Sequence, residues 1–268
     1  MSLPHDQFKT LTFSRSGRIL TITINMPESL NAVNAALHDE MTRVFDIAAD
    51  DPDSDVVILT GAGKVFCAGG DLNWLKDELD HGMPPFVLES RAMKRIVHSL
   101  LDCPKPVIAR VNGDAMGFGA SIALLCDIVI AVDSARFADP HVKVGLSAGD
   151  GGAFIWPQLI GFAKARHYLM TGEPIGAVEA ERIGLISFVK PAAEFDAFVM
   201  NYAEKLARGA LSAIRYTKIT TNIALRQLMT TVFEAGAAYE GLCKHTDSYR
   251  EGVTAFLEKR RPDFSNKF

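Results

Sequence analysis

From Leu11 to Asn25 apolar and polar residues alternate on both sides of Ser16-Gly17, in LTFSRSGRILTITIN, which predicts a β-hairpin. The period then lengthens. Leu37, Met41, Val44, Phe45 and Ala48 recur at helical spacing and predict a helix over 34–49. DVVILT and KPVIARVNG are nearly unbroken apolar runs, the mark of strands covered on both faces, and DIVIAVD with a short ARFAD completes the strand set. Residues 71–102 are helical in character with a break at HGMPP, and GASIALLC predicts a further short helix. From Gly161 the helical period takes over, across 161–171, 176–183, 192–208, 211–224, 225–243 and 246–259. Strands alternating with helices, followed by a helical tail, predict an α/β fold with an α-helical C-terminal part. There is no internal repeat and no low-complexity linker.

Composition narrows the function. The chain has 268 residues, of which 48% are hydrophobic, enough for one large domain or one domain with a helical appendage. The net charge is −4 and no basic stripe exists, which argues against nucleic acid as a partner. Cys67, Cys103, Cys126 and Cys243 show no CxxC or Cys/His spacing, so reduced thiols and no metal site are expected. No apolar run approaches the ~20 residues of a membrane span. The opening MSLPHDQF has the pattern of neither a secretory nor a transit segment, so the expected location is the cytoplasm.

Two glycine-rich turns carry the candidate chemistry. GAGKVFCAGGDL and VNGDAMGFGASIALLCD each leave a buried strand and lead into a helix. Glycines allow a ligand close to the backbone, and the first N–H groups of a helix have no intrahelical acceptor. One N–H from each turn, converging on one point, would stabilise a developing oxyanion. Neither turn is a GxGxxG or a P-loop.

ITINMPESLNAVN, VVILTGAGKVFCAGGDL, KPVIARVNGDAMGFGASIALLCDIVIA, LMTGEPIGAVEAERIGLISFV and YREGVTAFLEKRRPDF, in that order and spacing, resemble the crotonase superfamily, the enoyl-CoA hydratase/isomerase family, along nearly the whole chain. The resemblance implies a spiral of ββα units over 1–200, with 201–268 as a C-terminal α-helical trimerisation and CoA-capping region. It implies an acyl-CoA substrate, no cofactor beyond the coenzyme A of that substrate, and a homotrimer or dimer of trimers. Carried over by motif, the peptide N–H groups that bind the thioester oxygen fall on Ala68 and Phe118. The substrate-binding positions are Leu30, Gly70, Asp71, Leu72, Trp74, Gly117 and Trp156, with Arg261 and Phe264 near CoA. Leu75 and Phe86 join Trp74 and Trp156 as candidates for the acyl pocket.

The chain departs from the family at its acid–base residues. The two positions that carry glutamates in the family's hydratases hold Ser121 and His141. A hydroxyl cannot replace a carboxylate base unaided. His141 and, nine residues on, Asp150 offer a substitute: a histidine base with a carboxylate on its other nitrogen. The local stretch PH…GDG…WP resembles the β-diketone, C–C-bond hydrolase branch. Three readings follow: an acyl-CoA lyase of the hydratase/isomerase family with His141 as base, a hydrolase of a thioester or β-dicarbonyl C–C bond, or a non-catalytic acyl-CoA-binding protein. Ser121 is a packing residue or a hydroxyl that holds water.

Overall fold

The hairpin strands β1 (Leu11–Ser16) and β2 (Ile19–Ile24) pair antiparallel at one edge of a six-stranded sheet, ordered β1-β2-β3-β4-β6-β9. The computed structural model describes residues 7–81 and 86–265. Most of the HGMPP break and the Phe86 side chain lie outside that description. The inner strands β3 (Val56–Gly61), β4 (Val107–Val111) and β6 (Ile128–Val132) run parallel to β2 and to one another. Every residue of β3 is buried, as its unbroken apolar run requires of a strand covered on both faces. Strand β9 (Phe188–Lys190) closes the far edge. A small second sheet joins β5 (Ala115–Met116), β7 (Arg136–Ala138) and β8 (Ile175–Gly176).

Between the strands run α1 (Ala35–Asp50), capped by the Asn34 side chain, α2 (Leu72–His81), α3 (Phe86–Asp102) and the short α4 (Phe118–Leu124). The chain continues through α5 (Gly152–Thr171), α6 (Ala177–Arg182), α7 (Ala192–Ala207) and α8 (Leu211–Thr221). The tail ends in α9 (Ile223–Leu228), α10 (Glu234–Cys243) and α11 (Asp247–Leu257).

Two expectations change. The helix expected from Gly161 begins at Gly152, and Gly161, at φ 72°, marks a kink within it. The single helix expected over 225–243 is interrupted by a π-turn at Met229–Phe233.

The tail does not hang free: α10 packs on α3, and α11 packs on α2 and on the 3₁₀ turn His141–Val144. The seam between tail and core is backbone against backbone. A Cβ at Gly145 would lie 2.5 Å from the Ser248 carbonyl carbon, one at Gly252 2.5 Å from that of Val144, and one at Gly149 2.4 Å from the Gly236 oxygen. Among the described residues no helix is long and apolar enough to cross a membrane.

Candidate active site

The first glycine-rich turn is tied to the chain after β2. Val33 donates to the Gly69 carbonyl (2.7 Å) and Asp71 to the Val33 carbonyl (2.9 Å), forming a parallel bridge between Val33 and Gly70. The Ala68 N–H donates to the Leu30 carbonyl at 3.1 Å. This overturns the expected role of Ala68, because its N–H already has a protein acceptor. In a parallel bridge the flanking residues make the hydrogen bonds, so the Gly70 N–H is directed away from Val33. Leu30, at φ 55° and 54% exposed, serves this turn through its carbonyl and is not on the cavity wall.

The second turn lies against the first. Cys67 bridges Ala115, and Gly117 donates to the Ala138 carbonyl at 2.9 Å. Gly117 has φ 52°, a left-handed conformation that side chains resist, and it delivers Phe118 as the first residue of α4. The Phe118 N–H thus belongs to the helix-start groups without an intrahelical acceptor. A Cβ at Gly119 would lie 2.6 Å from the Cys67 Cβ, so α4 sits directly on the first turn. A Cβ at Gly117 would lie 3.6 Å from His141 Cε1 and 3.8 Å from the Gly69 Cα. Both turns and the imidazole therefore meet at one point.

His141 lies between two carboxylates. Its Nδ1 is 2.5 Å from Asp139 Oδ1, and its Nε2 is 3.4 Å from Asp150 Oδ2. The Ser121 hydroxyl donates to Asp150 Oδ1 at 2.9 Å. Asp150 had been expected to orient the ring with the other nitrogen open to substrate. The orienting carboxylate is instead Asp139, legible only as the acid two residues ahead in DPH. Burial works against charge on the imidazole, but Asp139 and Asp150 outweigh it and hold its pKa well above the ordinary histidine value. The two carboxylates thus favour the charged form of His141, whereas a neutral imidazole was expected. Burial likewise opposes the charge on Asp150; His141 and the hydrogen bonds from Ser121 and Gly152 reverse it and hold Asp150 below the usual carboxylate range. One donor atom each from Asp139, His141 and Asp150 lies within 4.8 Å of the others. Ion pairing of His141 with the two carboxylates accounts for this spacing.

These groups open onto a cavity of about 220 Å³. Ala68, Gly70, Leu72, Trp74, Leu75, Gly117, Phe118, His141 and Asp150 all line it. Ser121, 1% exposed, stands behind Asp150. Other expected residues lie elsewhere. Asp71 caps α2, accepting from Asn73 (2.8 Å) and Trp74 (3.1 Å). Trp156 is fully buried in the core against Tyr168. Arg261 and Phe264 are exposed and off the wall.

The remaining wall went unanticipated. Lys244, the C-cap residue of α10, reaches Glu78 of α2 at 3.2 Å and Glu89 of α3. Burial opposes the ammonium charge, and the two glutamates more than restore it. Glu240, one turn earlier on α10, is 8% exposed. Burial pushes its pKa up to about 8. His38 stands beside Trp74 and Phe118, and burial lowers its pKa. Neither Glu240 nor Lys244 was singled out from the sequence, where a Glu and a Lys at i,i+4 carry no signal beyond ordinary helix pairing.

The sequence profile described as Enoyl-CoA hydratase/isomerase matches residues 14–267. The chain is 34% identical over 266 residues to the 2,3-dehydroadipyl-CoA hydratase of Escherichia coli strain K12, covering 96% of this chain and 99% of that one. It is 34% identical over 264 residues to the short-chain-enoyl-CoA hydratase of Clostridium acetobutylicum, covering 97% and 100%. The crystal structure of an enoyl-CoA hydratase/isomerase from Mycobacterium paratuberculosis superposes with a TM-score of 0.84 at 36% identity, covering 92% of this chain and 98% of that one. With the fold and the paired turns in place, the chain belongs to the enoyl-CoA hydratase/isomerase family of the crotonase superfamily.

Proposed function

We propose that this acyl-CoA enzyme adds water across the double bond of a 2-enoyl thioester, with the Gly70 and Phe118 N–H groups binding the thioester oxygen and the His141–Asp150 pair moving the protons. The carrying observation is that His141 and Asp150 line the same cavity as the two glycine-rich turns. The glutamate missing at Ser121 is compensated through space, since the Ser121 hydroxyl holds the Asp150 carboxylate at 2.9 Å. As the water oxygen bonds to the β-carbon, Asp150 accepts one water proton. The electron pair of the double bond moves onto the thioester, whose enolate oxygen accepts from Gly70 and Phe118. The His141 imidazolium then gives its proton to the α-carbon, and transfer from Asp150 to His141 restores the pair.

The reaction needs no cofactor beyond the coenzyme A of the substrate. The enzyme works in the cytoplasm as a trimer or dimer of trimers. Phe162, Met170, Tyr239 and Leu242, each more than 60% exposed, support a covered apolar face in that assembly. Arg261 and Phe264 then serve CoA on the same or a neighbouring subunit.

Loss of enone absorbance from crotonyl-CoA tests the hydration, and light scattering tests the assembly. His141→Ala and Asp150→Asn should each abolish turnover while acyl-CoA binding persists. Free thiol from acetoacetyl-CoA without hydration would instead mark a thioester or β-dicarbonyl hydrolase. Binding without turnover across an acyl-CoA panel would mark a binding protein.

A further inference from the structure

Glu240 is buried, lines the cavity, and has no protein partner for its Oε2. The fold makes room for it at a cost in side chains: a Cβ at Gly149 would fall 2.6 Å from the Glu240 Cβ and 2.7 Å from Oε2. A carboxyl oxygen brought this far inside without a hydrogen bond is costly unless something in the cavity supplies one.

We propose that Glu240 binds an uncharged oxygen, a hydroxyl or a keto group, on the acyl chain, so that the preferred substrates are oxygenated acyl-CoAs rather than plain alkyl or carboxylated ones. The proposal rests on the acyl-CoA reading above and names the substrate class for the same cavity.

Charge selects among the occupants. The groups facing Glu240 are His141 and Asp150 from the core, Glu89 from α3 and Lys244 from its own helix. Both cations are committed. Lys244 is held by Glu78 and Glu89, and His141 by Asp139 and Asp150. Neither of these two is left for a carboxylate placed beside Glu240, and Lys143, the other lysine of the cavity wall, is not among the charges that act most on Glu240. Burial raises the Glu240 pKa to about 8, which favours an O–H offered to an acceptor over a countercharge offered to an ammonium. A saturated chain would seal the carboxyl off unpaired.

The test is binding rather than turnover. Full-length protein at pH 7 is titrated calorimetrically with hexanoyl-CoA, with hexanoyl-CoAs bearing a hydroxyl at C4, C5 or C6 or a keto group at C4 or C5, with 6-aminohexanoyl-CoA and with adipyl-CoA. At least one oxygenated ester should bind ~10-fold more tightly than hexanoyl-CoA, the scale of one buried hydrogen bond. Glu240→Leu should bring that advantage within ~2-fold, while Glu240→Gln, still a donor, retains it. Should Glu240→Leu fail to fold, Glu240→Met takes its place. The proposal is overturned if no oxygenated ester outbinds hexanoyl-CoA, if the advantage survives Glu240→Leu, or if the amino or carboxyl ester binds most tightly. None of these probes has a double bond, so failure of the hydration reading shows separately, in the crotonyl-CoA assay.

Discussion

Asp139→Asn removes one charge from the pair around His141 and leaves an oxygen acceptor of the same shape. The contact is short, 2.5 Å, between side chains that are 13% and 1% exposed, so solvent screens it little. A hydrogen bond of this charged kind contributes about 1.5–3 kcal/mol. At ~1.4 kcal/mol per pKa unit, its loss lowers the His141 pKa by about 1–2 units. The folded pKa of His141 is raised, so the pairing stabilises the fold fully below the unfolded histidine value near 6.5, and the stabilisation is lost as pH rises through the folded value. The stability gap between wild type and Asp139→Asn should therefore be widest in acid and close toward alkaline pH. Carbon-edited NMR of the histidine Cε1–H signals from pH 5 to 10, assigned with His141→Ala, reads the titration directly. Wild-type His141 should stay protonated through neutrality, and the variant should titrate 1–2 units lower. A wild-type midpoint at or below about 6.5, or an unchanged midpoint in Asp139→Asn, would refute the imidazolium assignment. The alkaline limb of kcat should move with the same midpoint.

Phe118→Pro deletes a helix-start N–H at a position where proline is tolerated, and kcat/KM should fall ~10²–10³-fold relative to Phe118→Ala; parity between the two would remove Phe118 from the oxyanion site. Glu240 is an acid whose folded pKa is raised to about 8, so the folded state binds the proton more tightly, and stability should fall by up to ~1.4 kcal/mol per pH unit between about 4.5 and 8. Urea melts at pH 5 and 8 should show that fall in wild type and not in Glu240→Gln; parallel curves would contradict it. Gly152→Ala places a Cβ 1.8 Å from Asp139 Oδ2 and should displace that carboxylate, giving a His141 titration like that of Asp139→Asn in a folded protein. Burial pushes the Cys67 thiol up to about 12, so it should resist alkylation at pH 8 until the protein unfolds; rapid modification of native protein would count against its burial.

The hairpin, α1 and the inner strands were legible because their patterns persist over five residues or more. Strands β5, β8 and β9 span only two or three residues, too few for a period, and they form because tertiary pairing holds them. The two turns were legible as glycine clusters between buried strand and helix, but which N–H faces the cavity was not. That choice depends on the bridge from Val33 to Gly70, made by a segment more than thirty residues earlier. His141 and Asp150 were legible through the slots they fill in the family pattern. Their protonation states were not, because the charge on His141 is set by Asp139 and Asp150 together in a dry interior. Glu240 and Lys244 were missed because charged residues at i,i+4 look solvated until α2 and α3 are folded against them.

The glycine seam between the tail and the core bears on how this enzyme can diversify. Backbone meeting backbone at Gly145, Gly149 and Gly252 fixes a spacing but asks for few particular side chains. The proposed oxyanion donors and proton-moving groups sit on one side of that seam, within residues 68–150, whereas Glu240, Lys244 and Phe256 of the cavity wall sit on the other. A tail exchanged between relatives that preserve those glycines would replace the part of the cavity wall that Glu240, Lys244 and Phe256 supply, and would leave in place the part supplied by the core, including the proposed reaction centre.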